Sequence, residues 1–365
     1  MLPRHLLRSL LAGFFAVASA HAQTSTPAAQ QPLDTVIVAP KPDEPGRIIM
    51  TGKVLDYTGA QLTIELESGK RNVPGKQVVE VRSTWHADEL AGEELWRKRD
   101  YASALVRFQA AFAAEQRRWV RRKLQARIVD CLREQELWSA AADAFMLLLR
   151  DDPTTPYYAS FPLPWTSFFP DAALEAKAKK WSAETTNSAG ALFGAAVLLS
   201  STARIDGLNR LKELMLDGDP RIALIAEAQL WRSATVTADL AAVEAWERKL
   251  DKIPAELAAG PAVIVGKAWA QRSVKSQGVP DQAIAERAAL LLLRVPILHP
   301  EQHRLAGEAL WTAGQMLENL GQPTRAADLY RELARDYPKS QLAGQAGERL
   351  KELDKAPPTQ ALPTP

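Results

Sequence analysis

The chain has 365 residues, enough at about 100–200 residues per domain for two domains, or for one small domain and a repeat array. Lys and Arg number 45 against 43 Asp and Glu, a net charge of +2, with 47% hydrophobic and 24% charged residues. These proportions exclude a mostly disordered chain, a collagen-like chain and a polytopic membrane protein. The single cysteine, Cys131, excludes an intrachain disulfide and any Cys-rich zinc or iron–sulfur site.

Residues 1–22 read as a secretory signal peptide. Arg4 and Arg8 give a positive start, residues 10–18 are an apolar core, and Ala20, His21 and Ala22 fit a small-x-small cleavage site ahead of Gln23. The apolar run is half the length of a membrane span, so no transmembrane helix is expected after cleavage. The expected location is periplasmic or extracellular. No cysteine near the site offers a lipid anchor, and the two arginines are not adjacent, as a twin-arginine signal requires. Cleavage removes two arginines and no acids, leaving a mature chain of zero net charge, which argues against a nucleic-acid partner. The basic run of Arg117, Arg118, Arg121, Arg122, Lys123 and Arg127 is expected to form a solvated helix face.

Residues 23–46, rich in Pro, Thr, Ala and Gln, read as a disordered linker with a short edge strand at 35–39. From 47 to 84 the period becomes two. Leu62, Ile64 and Leu66 alternate with Thr63, Glu65 and Glu67, and Val79 and Val81 alternate with Glu80 and Arg82. Gly59 and Gly69 mark turns. This predicts a three- or four-stranded antiparallel meander that resembles small SH3-like or Sm-like barrels. It is too short to fold alone and is expected to dock on the helical region through Trp85.

From 86 to 355 the period is helical, and three windows align at 86–116, 122–153 and 307–338. The first carries Gly92, Leu95, Tyr101, Ala104, Phe108 and Ala111. The second carries Ile128, Leu132, Trp138, Ala141, Phe145, Leu148 and Pro153. The third carries Ala313, Gly314, Leu317, Ala326, Tyr330, Leu333 and Pro338. Small residues let two helices cross closely while the aromatics fill the space beside them. The pattern resembles the tetratricopeptide repeat, most closely over 326–350, and is similar to repeats of exported bacterial proteins. The predicted fold is mainly α, a tetratricopeptide-like solenoid of helical hairpins behind a small antiparallel β unit. Between 171 and 300 the repeat is degenerate. Runs at 171–181, 189–200, 205–216, 220–232, 240–250, 263–272 and 282–293 are expected to be helices, either continuing the solenoid or forming a separate bundle. The tail 356–365, with four prolines, reads as disordered.

No motif for catalysis, cofactor or metal binding stands in the chain. His299 and His303 are four apart, but Pro300 and the misplaced Glu301 break the zinc-protease pattern, and His299 with Pro300 reads as a helix start. Cys131 reads as a buried small hydrophobe. The resemblance implies a non-catalytic protein-binding scaffold of the cell envelope; the alternative is a helical-repeat enzyme or enzyme subunit with its site in 171–300. By the resemblance, the groove is lined by Glu89, Glu93, Trp96 and Arg97, by Lys123, Ala126, Asp130, Arg133 and Glu134, and by Glu308, Trp311, Gln315 and Glu318. Glu93, Asp130 and Gln315 replace the asparagines of the family's carboxylate clamp, so an internal segment of a protein partner fits better than a free terminus. The segment 157–170, with Tyr157, Tyr158, Phe161, Trp165 and Phe168, is either a connector packed over the repeats or an exposed patch for that partner.

Overall fold

The computed structural model describes residues 33–40, 46–166, 168–273 and 281–355. The expected signal peptide and Pro-rich tail lie outside the described residues.

Five strands form one antiparallel sheet: β1 (Asp34–Val38), β2 (Ile48–Tyr57), β3 (Gln61–Leu66), β4 (Gly69–Pro74) and β5 (Val78–Arg82), in the order β4-β3-β2-β1-β5. β1 lies within the stretch expected as linker. It is also an interior strand, not an edge: Val36 faces Met50 of β2 on one side and Val81 of β5 on the other. It is the short strand expected at 35–39, and pairing on both flanks, which the pattern does not predict, supplies the stabilisation five residues lack alone. Val36 and Val38 point into the core with Met50, Val54, Leu62, Ile64 and Val73. Where β2 shifts register between Val54 and Asp56, the Val54 amide donates to the buried Asp34 carboxylate at 2.7 Å.

Fourteen α-helices follow among the described residues: α1 (Ala87–Arg97), α2 (Tyr101–Ala114), α3 (Arg118–Glu134), α4 (Trp138–Asp151), α5 (Ala172–Ala183), α6 (Ser188–Leu198), α7 (Arg204–Leu214), α8 (Pro220–Ala234), α9 (Leu240–Leu250), α10 (Ala259–Ser273), α11 (Gln282–Leu298), α12 (His303–Asn319), α13 (Pro323–Asp336) and α14 (Gln341–Lys355). Side-chain caps start many of them. Asp100, Asp171, Asp219, Asp239 and Asp281 each accept a backbone N–H of the first turn. Consecutive helices pack as neighbours along most of the array, and one apolar cluster runs from Val36 to Met316, so 171–300 shares its core with the first repeats. His299 ends α11 as its C-cap, and α12 starts at His303; the expected helix start at His299 and Pro300 is a connector.

The three clear repeats share one turn. Between their helices stand Arg99 (φ 59°), Glu136 (φ 61°) and Gly321 (φ 70°), all left-handed. In each, two backbone bonds close the first helix: Arg99 to Trp96 and Asp100 to Leu95, Glu136 to Arg133 and Leu137 to Leu132, Gly321 to Glu318 and Gln322 to Leu317. This is the reciprocal pattern that satisfies orphan carbonyls at a helix end.

The β unit is joined to the helices by charge as well as by apolar contact. Arg122 of α3, only 3% exposed, donates to Asp56 at 2.7 Å, to the Tyr57 carbonyl at 2.9 Å and to Asp151 of α4 at 2.6 Å. Gly59 donates its amide to Asp152 at 3.1 Å, where Thr154 stands too close for a side chain at 59. Trp85 packs edge-on against Trp119, with Lys123 over its ring at 3.7 Å, as the docking expectation requires. The basic run on α3 is thus not a solvated face. Arg122 is buried, and Arg118, Lys123 and Arg127 are each matched to a carboxylate.

Candidate functional site

The first helices of the first two repeats face each other through ion pairs rather than across an open groove. Glu89, 1% exposed, accepts from Lys123 at 2.7 Å, and Glu93 accepts from Arg127 at 2.8 and 3.1 Å. Asp130 lies 3.3 Å from Arg133, which donates to the Ala159 carbonyl. Glu134 is enclosed beside them; burial pushes its carboxyl above the ordinary value against the pull of Arg133 and Arg304. Ala126 is buried on the same helix. Trp96, expected as an exposed anchor, keeps 5% of its surface, tilted against Tyr101 at 5.0 Å and His303 at 5.4 Å. Arg97 alone of the first repeat's four expected groove residues is exposed. The charges expected to meet a partner therefore neutralise one another. Helices α1 and α3 lie close enough for acids of one to reach bases of the other.

The last repeat is different. Lys267 of α10, Glu308, Trp311, Gln315 and Glu318 of α12, and Arg349 of α14 line a groove of about 610 Å³. Gln315 is exposed and Trp311 half-buried, its ring 5.2 Å from that of Tyr330. Lys267 pairs with Glu308 at 2.5 Å, and Arg349 pairs with Glu318, which also accepts from the Tyr330 hydroxyl at 2.7 Å. Burial would raise the Glu318 carboxyl, but hydrogen bonds from Arg349 and Tyr330 outweigh it and hold the group below its ordinary value. The groove floor is thus fixed while its tryptophan and glutamine stay within reach.

The aromatic segment turns inward. Phe161 stacks on Phe145 at 4.6 Å, Tyr158 meets both edge-on, and Phe168 lies 5.4 Å from Trp138. Trp165 covers Gly260 of α10, leaving no room there for a Cβ. Tyr157 is half-buried, and the Pro164 carbonyl accepts from Gln229 and from Arg232 of α8. Arg232 meets no carboxylate among the described residues, and burial followed by Arg204 lowers its pKa to about 9. The segment is a strut between α4, α8 and α10, not an exposed patch; Phe169, 92% exposed, is the ring that stands out.

One arrangement has no trace in the sequence. The last repeat closes onto the first. Tyr101 at the start of α2 shares a hydrogen bond with Nδ1 of His303 at the start of α12, their rings stacked at 5.6 Å. The Arg99 guanidinium lies 4.4 Å from the centre of the Tyr337 ring, Lys339 donates to the Arg99 carbonyl, and Arg304 pairs with Glu136. Burial first, and then Arg99, Arg133 and Arg127, lower the pKa of His303 to about 3. Burial likewise pushes the Cys131 thiol up, and Cys131 is buried as its position predicts. Among the described residues, no three His, Cys, Asp or Glu converge to hold a metal ion, and no helix is long and apolar enough to cross a membrane.

A family model described as tetratricopeptide repeat matches residues 308–340, which cover most of α12, all of α13 and the turn after it. No curated protein matches the chain. Repeats of this kind are generally non-catalytic and suggest a protein-binding scaffold. The matched segment is the hairpin that carries Trp311, Gln315 and the shared left-handed turn. The chain is therefore a tetratricopeptide-like helical array behind a five-stranded antiparallel sheet.

Proposed function

We propose that this protein is a non-catalytic binding scaffold, exported to the bacterial cell envelope, which assembles protein complexes by holding a partner in the groove of its last repeat. The observation that carries this reading is the contrast between the repeats. The same helix face is closed by Glu89–Lys123 and Glu93–Arg127 pairs in the first two, yet leaves Trp311 and Gln315 accessible in the matched one. A half-buried tryptophan on a fixed floor is the kind of residue that becomes a binding hot spot. The mixed charges of Lys267, Glu308, Glu318 and Arg349 suit an internal polar segment of a partner. The charged start, apolar core and small-x-small site of residues 1–22 support export.

The test is a pull-down from envelope extract with the mature chain. Trp311→Ala should weaken capture by about 1–2 kcal/mol while circular dichroism stays unchanged. A folded Trp311→Ala, Gln315→Ala protein that retains every partner rejects the groove. N-terminal sequencing of the protein from its native cells should begin at Gln23 or within a few residues; an intact Met1 rejects export.

A further inference from the structure

The seam between the first and last repeats encloses a cleft of about 410 Å³. Its walls carry three acids, and each is answered: Glu134 by Arg133, Glu136 by Arg304, and Glu308 by Lys267. Two cations of the same cleft make no direct ion pair, although Arg99 acts on Asp336 and Lys339 on Asp100 at longer range. Arg99 and Lys339 have no carboxylate within ion-pair distance among the described residues. Arg99 lies against the Tyr337 ring, and its Nη1 is buried with no hydrogen-bond acceptor. Lys339 donates to the Arg99 carbonyl, which ties the ammonium to the Arg99 backbone at the same cleft. Buried donors in native proteins almost always have a partner, so an orphan donor beside a second unpaired cation marks a place where an acceptor belongs.

The backbone explains how Arg99 comes to this wall. Arg99 and Glu136 occupy the left-handed turn position that the third repeat gives to Gly321, and both line this cleft. That turn closes the first helix of each hairpin, and it sets the Arg99 side chain at the cleft wall.

The geometry points to a binding site for a small-molecule oxyanion, a phosphate or a carboxylate group, held between Arg99 and Lys339 at this seam. A guanidinium fork grips two oxygens, the ammonium takes a third contact, and the Tyr101 and Tyr337 rings flank the bound group. Neighbouring His303 is held neutral first by burial and then by Arg99. The site shares only Glu308 with the Trp311 groove and uses neither Trp311 nor Gln315, so its fate does not depend on the scaffold reading.

The experiment titrates the full mature chain with inorganic phosphate and, separately, with succinate, at constant ionic strength set by sodium chloride, followed by calorimetry and by chemical-shift changes. At least one anion should saturate the protein. Phosphate alone identifies a phosphate-bearing ligand, succinate alone a carboxylate-bearing one, and both support the site. Arg99→Gly removes the guanidinium and at the same time suits the left-handed turn, so the variant folds; binding should fall about tenfold or more. Lys339→Gln should weaken binding in the same direction. Failure of both anions to saturate the wild type, or wild-type affinity in a folded Arg99→Gly, overturns the proposal.

Discussion

Gly314 of α12 lies directly beneath the Tyr330 ring of α13, so that a Cβ on Gly314 would stand well inside van der Waals contact with Cε1. The first repeat has the same relationship at the same spacing: a Cβ on Gly92 would come within 2.7 Å of Phe108 Cε1. The glycine is what permits each hairpin to close over its aromatic. Tyr330 is tethered to Glu318 through its hydroxyl, whereas Phe108 has no polar anchor. Gly314→Ala should therefore destabilise by about 1–3 kcal/mol, and Gly92→Ala by less, because only Phe108 can move aside. Urea midpoints of the two variants decide the order. Ala104 and Ala326, fully buried in the second helices of the same hairpins, should each cost about 1–3 kcal/mol when replaced by Leu; unchanged melting temperatures for both would argue against this register.

The Arg122 junction should respond asymmetrically. Arg122→Met leaves behind Asp56 and Asp151, both exposed enough for water to solvate them, and should cost only about 1–2 kcal/mol. The double change Asp56→Asn, Asp151→Asn leaves the buried guanidinium without a countercharge and should cost about 3–5 kcal/mol. Equal losses in denaturant unfolding would mean that Arg122 is more hydrated than its 3% exposure implies.

His303 predicts an acid-side loss of stability. Its ordinary pKa is 6.5, and in the folded protein it is lowered to about 3. Between those values the unfolded chain binds a proton that the native state refuses, so stability falls as pH drops below about 6.5. Asp151 and Glu318, whose carboxyls are held below their ordinary values, contribute stability that is lost only at lower pH. The melting temperature should therefore decline from about pH 7 to pH 5, and decline less in His303→Phe. His299, also lowered by burial, leaves a residual slope. An identical slope in both proteins would remove His303 from the account.

Trp96 and Trp311 occupy comparable helix faces and should behave oppositely. Trp96→Ala empties a site packed by Tyr101 and His303 and should destabilise by about 3–5 kcal/mol. Trp311→Ala should leave the melting temperature nearly unchanged and weaken partner capture. Thermal unfolding alongside the pull-down separates the two roles.

Much of the helical architecture is legible in the sequence because its causes are local. An Asp ahead of an amphipathic run starts α5, α8, α9 and α11, and the run expected at 240–250 coincides with α9. The paired glycine and aromatic positions mark the first and last hairpins. β1 is legible as a short strand but not as an interior one, since only the folded sheet brings β2 and β5 to its two sides. The candidate surfaces depend on tertiary structure still more. The repeat resemblance places Glu89, Glu93, Lys123 and Trp96 on one helix face, but whether that face opens to solvent depends on how closely α1 approaches α3 and on what covers it. The contacts that cover Trp96 and assemble the cleft join Tyr101 to His303 and Arg99 to Lys339, across more than half the chain. Periodicity records what a helix buries against its neighbours along the chain. It carries no record of two distant repeats meeting, because that meeting depends on the summed curvature of every hairpin between them.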